Sequence, residues 1–274
     1  DSIRAYNTSR DESSLRHCFV FGPSGSGKTQ IAVRYRDKNI GYTEIREDGT
    51  EVDIKPVIYL ELPHPFTIAE FYQSIITALG APNMPAGTKI GVLKRQVFTL
   101  LKAQRVEMIF LDEMDAILTT PNMPDVTAMG TIKHLANTGR VSLVLIGTPG
   151  TERLRKMNFQ NYRRYPATEL KPFENYDTYF KFLSEVEKHL KPPKPTGLAV
   201  GETGIPQFLW KVTSGLVGPT INIIVDIFNV TGVLNNNDYD FSQFIIDRNV
   251  LEMAYRNVLG DITPDDMRDM MEKD

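Results

Sequence analysis

The eight residues Gly22-Pro-Ser-Gly-Ser-Gly27-Lys28-Thr29 constrain the fold of this chain more than any other stretch. They match the G-x-x-x-x-G-K-[ST] pattern in full, follow the apolar run Cys18–Phe21 and open the helical-looking stretch Gln30–Arg36, which is the strand–loop–helix context the pattern requires. Glycines let backbone N–H groups converge on phosphate oxygens, and the helix that follows adds its positive N-terminal end. Gly22, Pro23, Ser24, Gly25, Ser26, Gly27, Lys28, Thr29 and Gln30 are therefore the expected contacts of a nucleotide. Lys28 is expected to reach the β- and γ-phosphates of ATP, and the Thr29 hydroxyl to ligate Mg²⁺.

A phosphate loop of this kind needs a sheet behind it. Four further β-like runs are present: Val57–Leu62, Met108–Leu111, Val141–Ile146 and the weaker Tyr165–Leu170. The middle ones are continuously apolar, as suits parallel strands covered on both faces. Between them lie helical patterns over Thr67–Leu79, with Thr67 and Glu70 as a capping-box pair and Gly80 as stop, over 88–104, and before Gly139. In the second, Ile90, Leu93, Val97, Leu100 and Leu101 are spaced to face a core, leaving Lys89, Lys94 and Arg95 outside. The alternation predicts an α/β fold with a five-stranded parallel sheet. One interruption, Tyr42–Ile54, reads as an inserted, exposed β-hairpin around a two-residue Asp48-Gly49 turn. The three prolines of Lys191–Pro195 mark a loop or linker. Helical spacing over Gln207–Thr213, Thr220–Phe228 and Asn249–Leu259 then predicts a C-terminal helical lid, giving domains over 1–171 and 172–274.

The second chemical signal is Met108-Ile-Phe-Leu111-Asp112-Glu113, an apolar strand ending in two carboxylates level with the phosphate loop. Asp112 is placed to hold Mg²⁺ and Glu113 to polarise the attacking water, against the alternative of a solvated acidic turn. Thr148, at the tip of the Val141–Ile146 run, is a candidate γ-phosphate sensor or the N-cap of a helix over Thr151–Met157. Arg163 and Arg164, just before the last strand, are candidates for an arginine supplied to a neighbouring subunit, or ordinary surface arginines. His17, His64, His134 and His189 lack metal-like spacing and read as surface or packing residues, and Trp210 as core.

The net charge is -3 over 274 residues, so any nucleic-acid contact must come from local basic clusters. The single cysteine, Cys18, removes intramolecular disulfides and Cys-rich zinc sites and fits a reducing compartment. No apolar stretch approaches the roughly 18 residues that span a bilayer, so a soluble, cytoplasmic protein without membrane contact is expected.

The succession GPSGSGKT, VIYLELP, MIFLDEMD, LVLIGTPGTERL and YRRYPATELKPF resembles the TniB/TnsC group of AAA+ transposition regulators, related to MuB, over about residues 15 to 190. The first three motifs occur in many AAA+ proteins, and the run from GTPGTERL through the arginine pair to ELKPF points to this group. The resemblance implies an AAA+ P-loop ATPase core that assembles in the ATP state into a ring or helical homo-oligomer around double-stranded DNA in the bacterial nucleoid. Such an assembly receives a target-selection protein of the TniQ kind on one side and the transposase on another. Lys28, Thr29, Asp112, Glu113 and Thr148 take the roles above, and Arg163 or Arg164 becomes the inter-subunit finger. DNA contacts fall on Thr67, Thr88, Lys89, Lys94 and Arg95. One departure is that Ser214-Gly-Leu-Val-Gly218 is followed by Pro219 and Thr220, where the family often has a lid arginine.

Two other readings use the same ATP site: a helicase loader or origin-type initiator, and a nucleotide-switch signalling ATPase without DNA, which the acidic balance favours. The acidic balance does not exclude DNA, because an oligomer repeats one basic strip many times. Nothing resembles a base-reading helix-turn-helix or zinc finger, so sequence-independent binding is expected.

Overall fold

The computed structural model describes residues 3–4, 15–235 and 239–273. By its contacts the chain divides into two units, residues 1–22 with 28–169, and residues 23–27 with 170–274.

The first unit holds strands β1 (Cys18–Phe21), β2 (Tyr42–Ile45), β3 (Glu51–Ile54), β4 (Val57–Glu61), β5 (Met108–Asp112), β6 (Ser142–Gly147) and β7 (Ala167–Glu169). Five of them form one parallel sheet in the order β4-β5-β6-β1-β7. Helices α1 (Lys28–Lys38), α2 (Ile68–Ala78), α3 (Ile90–Ala103), α4 (Asp115–Thr119), α5 (Asp125–Gly139), α6 (Glu152–Lys156) and α7 (Phe159–Arg164) connect them. Every residue of β5 and β6 is buried, which explains their unbroken apolar runs. Phe19, Ile109, Leu111, Leu143 and Leu145 face one core with Phe71, Ile75, Val97 and Ile132. Val57, Met108, Phe110, Val144 and Ile146 face a second core with Ala32 of α1. Each such side chain contributes about 1.5–3 kcal/mol on leaving water. Burial on both faces is what fixes the carboxyl ends of β5 and β6 side by side.

Local chemistry sets the helix ends. The Thr67 side chain accepts from the Glu70 amide at 3.1 Å and donates to Glu70 Oε2 at 3.0 Å, and Gly80 takes a left-handed φ of 79° just past the helix. In α3, Leu93, Val97 and Leu101 are buried as their spacing requires, whereas Ile90, in the first turn, is 40% exposed. Helix α5 runs through Gly139, and the left-handed residue that ends it is Arg140, with φ 52°, rather than a glycine.

The hairpin is present, with Tyr42 opposite Ile54 and Ile45 opposite Glu51. Its turn differs from the two-residue one expected. The Arg46 amide donates to the Thr50 carbonyl at 2.9 Å, closing three residues, with Gly49 left-handed at φ 80°. Asp48 Oδ1 accepts from the Thr50 amide at 2.9 Å, and this side-chain bond selects the longer, bulged loop. Arg105 clamps the hairpin by two bonds to the Glu44 carboxylate, at 2.7 and 2.8 Å.

The second unit packs α8 (Tyr176–Leu190), α9 (Ile205–Thr213), α10 (Val217–Val230), α11 (Arg248–Leu259) and α12 (Pro264–Lys273). Tyr179, Leu183, Leu198, Leu209, Ile223 and Ile227 form its core. The proline-rich stretch after Leu190 is held rather than free. Glu187 accepts from the Thr196 amide and hydroxyl at 2.6 and 2.7 Å and from the Ala199 amide at 3.2 Å. Trp210 is partly buried in this unit and donates to the Phe173 carbonyl at 3.2 Å. No helix among the described residues is long and apolar enough to cross a membrane.

Candidate nucleotide site

Strand β1 ends at Phe21, and the Gly22 amide donates to the Gly147 carbonyl at 3.3 Å, so the phosphate loop starts level with the tip of β6. Within the loop, Gly25 and Gly27 have φ of 77° and 90°, which side chains with a Cβ rarely adopt. The Ser26 amide donates to the Pro23 carbonyl at 3.2 Å, while the Ser26 hydroxyl is buried without a partner among the described residues. The Gly25 carbonyl accepts from the Gly218 amide at 2.7 Å, and a Cβ on Gly218 would lie 2.8 Å from that oxygen. Lys28 Nζ donates to the Gly22 carbonyl at 2.6 Å, folding the ammonium back over the loop it follows. Gln30 is an exposed residue of the first turn of α1.

The Thr29 hydroxyl donates to Asp112 Oδ2 at 2.7 Å. Residues 83 positions apart are thus joined where α1 begins and β5 ends. Asp112 is 2% exposed, and its carboxylate also accepts from Tyr59 Oη at 3.1 Å and from the Glu113 amide at 2.8 Å. A buried carboxylate is costly to leave without hydrogen-bond donors, and these donors satisfy it.

Glu113 follows with φ 57°, left-handed backbone for a residue with a Cβ, which costs on the order of 1–3 kcal/mol. Its amide is taken by Asp112, and the Met114 amide donates to the Ile146 carbonyl at 2.9 Å, so the chain turns sharply between two anchors. The turn leaves the Glu113 side chain exposed. Local desolvation raises the pKa of its carboxyl, reinforced by the Asp112, Asp115 and Glu61 carboxylates and opposed by Lys28.

Thr148 follows β6. Its side chain makes no capping bond to the short helix after it; both its amide, at 3.0 Å, and its hydroxyl donate to the Asp115 carboxylate. The Thr151 hydroxyl returns to the Thr148 carbonyl at 2.6 Å, and a Cβ at Gly147 would meet Thr151 Oγ1 at 2.6 Å. Gly147 is therefore a close-approach position.

Three residues of this constellation were not singled out from sequence: Tyr59, Glu61 and Asp115. Glu61 pairs in register with Asp112, and Tyr59 Oη also lies 3.1 Å from Glu61 Oε1. Asp115 stands three residues after Asp112, inside the acidic motif, and that spacing was the available signal.

The arginine pair separates. Arg164 donates to Asn137 Oδ1 at 2.5 Å and lies 6.0 Å from the Tyr165 ring centroid, so it is committed within the unit. Arg163 is exposed and makes no hydrogen bond or ion pair with any described residue. Both line a cavity of about 590 Å³ with Arg16, His17 and Gln160. His17 is not a surface residue but buried, accepting from the Leu143 amide at 3.0 Å.

Among the proposed DNA contacts, the Thr67 hydroxyl is occupied with Glu70 and the Thr88 hydroxyl donates to the Pro85 carbonyl at 2.6 Å. Lys89 and Arg95 are exposed, and Lys94 lies over the Tyr72 ring at 5.7 Å. The stretch from Thr88 to Gln104 contains no acidic residue. In the second unit, α10 carries no lysine or arginine. Thr220 is fully buried, with its hydroxyl bonded to the Leu216 carbonyl at 2.6 Å.

The family described as Bacterial TniB protein matches residues 1–175. A search of curated proteins finds no match. Among solved structures, the ORC2 protein of Aeropyrum pernix, in ADPNP–ADP complexes, is similar with a TM-score of 0.61 at 11% identity, covering 94% of this chain and 66% of that one. The ORC1 protein of the same organism, in complex with DNA, has a TM-score of 0.58 at 14% identity over 94% of this chain and 63% of that one. The Walker-type ATPase PABY2304 of Pyrococcus abyssi has a TM-score of 0.56 at 14% identity over 98% and 75%. The chain thus spans just under two thirds of the length of both ORC proteins, and at these identities the likeness is one of fold. The family match spans residues 1–175 of the 274, more than half of the chain, and the chain therefore belongs to the bacterial TniB family.

Proposed function

We propose that this chain hydrolyses ATP with Mg²⁺ while assembled as a ring or helical homo-oligomer on double-stranded DNA. In this reading it links target-site selection, through a protein of the TniQ kind, to transposase recruitment. The observation that carries the ATPase part is the Thr29–Asp112 pair at 2.7 Å directly after Lys28. Mg²⁺ takes one or two protein oxygens and completes its octahedron with phosphate oxygens and water, and a hydroxyl beside an anchored carboxylate fits that demand. Among the described residues no cluster of three or more His, Cys, Asp or Glu could hold a metal alone, so the substrate phosphates would supply the remaining ligands. When bound, the ion neutralises charge on the transferring phosphoryl group.

The chain's own groups do the rest. Lys28 neutralises phosphate charge, and Thr148, held by Asp115, offers its hydroxyl oxygen beside the site. Glu113 orients a water and accepts its proton, a role suited to a carboxylate whose pKa is raised by desolvation and by the neighbouring carboxylates. Arg163, exposed and uncommitted, serves the site of the neighbouring copy.

For DNA, Lys89 and Arg95 supply exposed cations in a segment without acids, and Thr67, Thr88 and Lys94 frame it. The family match and the DNA complex of the ORC1 relative support this side of the reading. Phosphate contacts repeated around an oligomer bind without sequence preference and would keep the protein with the nucleoid.

Negative-stain imaging with a non-hydrolysable ATP analogue tests the proposal. Rings or filaments that need both the analogue and random double-stranded DNA, and that Lys28→Ala abolishes, are expected. Oligomers indifferent to DNA would overturn the DNA reading while leaving the ATPase assignment in place.

A further inference from the structure

Tyr59 adds a further donor to the Thr29–Asp112 site. It stands on β4 beside β5, on the sheet face that packs against α1, and its hydroxyl lies 3.1 Å from both Asp112 Oδ2 and Glu61 Oε1. A phenol has a single proton, so it can donate to only one of these carboxylates at a time. The ring itself is held: Arg36, from the last turn of α1, lies over its face at 5.8 Å from the centroid. The movable part is the O–H bond.

We propose that Tyr59 is a positioning residue for the metal site, whose hydroxyl turns between Asp112 and Glu61 according to whether a divalent cation is bound. Without a cation, the hydroxyl joins Thr29 in donating to Asp112 Oδ2 and holds that carboxylate in place. A cation near Asp112 competes for the same lone pairs, and the Tyr59 proton swings to Glu61, where a second anion accepts it. Glu61 thereby keeps the phenol satisfied in both states, and the site loads its metal without leaving a donor unpaired. Partners of this kind around a metal ligand change metal affinity by about 10–100-fold when removed.

This inference rests on the Mg²⁺ assignment above, and the test separates the two. Mn²⁺ is titrated into the protein with ADP and read by its EPR signal, while ADP affinity is measured in EDTA. Tyr59→Phe keeps the ring and its contact with Arg36. Because it removes one hydrogen bond from each state, Tyr59→Phe alone is expected to shift Mn²⁺ binding less than Glu61→Gln does and to leave ADP affinity in EDTA within about twofold. Glu61→Gln is expected to weaken Mn²⁺ binding in the parent protein and to have little further effect in the Tyr59→Phe background, because the two act through one hydrogen bond. Glu61→Gln weakening Mn²⁺ binding by the same factor in the parent and in the Tyr59→Phe background would overturn the role of Tyr59. Parent protein in which Thr29→Ala does not weaken Mn²⁺ binding would overturn the metal assignment and this inference with it.

Discussion

Both donors of Thr148, its amide and its hydroxyl, are received by the two oxygens of the Asp115 carboxylate. Asp115 therefore holds the tip of β6 to the start of α4, and it is the residue that positions the candidate sensor. Asp115→Ala should lower kcat about tenfold to a hundredfold, the effect of a misplaced group, while ATP affinity changes little. Steady-state kinetics beside an equilibrium nucleotide titration checks this, and a parallel loss of binding would count against a sensor role for Thr148.

Glu113→Gln should bind ATP and slow hydrolysis by roughly 10²–10⁴-fold, so that assemblies form and persist. The parent enzyme should lose activity on the acid side at a higher pH than an ordinary carboxylate, because desolvation and the surrounding carboxylates raise the Glu113 pKa. The sign follows from the role: the base works only when deprotonated, so activity falls as pH drops through the raised value. A pH–rate profile still flat at pH 4.5, the ordinary glutamate value, would remove Glu113 from the role.

Arg163 and Arg164 should behave differently. Arg163→Ala should reduce hydrolysis by as much as ~10³-fold without changing thermal stability. Arg164→Ala removes the bond to Asn137 and should cost about 1 kcal/mol of stability. Mixing Arg163→Ala with Lys28→Ala subunits should restore part of the activity, since one supplies an intact loop and the other an intact arginine. Mixtures with no recovery would argue against sharing.

His17 carries an acid sensitivity. Burial first, and then the Arg164 charge, lower its pKa from 6.5 to about 3. Between those values the unfolded chain binds a proton that the folded chain refuses, so stability is lost as pH falls from 6.5 toward 3, by up to about 1.4 kcal/mol per pH unit. His17→Gln, which keeps an acceptor for the Leu143 amide, should flatten the fall in melting temperature between pH 6 and 4. Equal slopes in the two proteins would refute the assignment.

How far the sequence could be read varied with the physics of each element. Strands β5 and β6 were plain because they are buried on both faces, whereas β7 is three exposed residues at the sheet edge with little apolar signal. The Asp48 side chain lengthened the hairpin turn, and Arg140 took the left-handed place expected of a glycine, both being local hydrogen-bond choices that composition does not announce. Lys28, Thr29 and Asp112 stood out because they lie in motifs of fixed spacing, and the fold joins Thr29 to Asp112. Tyr59 was hidden in an apolar strand, where tyrosine reads as core, and only the register with β5 puts its hydroxyl beside Asp112.

The sheet order has a consequence for how the molecule is made. Strand β1, which launches the phosphate loop, lies between β6 and β7 in the sheet, and the bond from Leu143 to His17 spans 126 positions. As the chain leaves the ribosome, β1 must wait, apolar and unpaired, until β6, some 126 positions further on, has emerged. Closing so long a loop is slow, and an unpaired strand is prone to join another chain in the meantime. The segment that reads most clearly in the sequence is thus among the last to find its place in the fold.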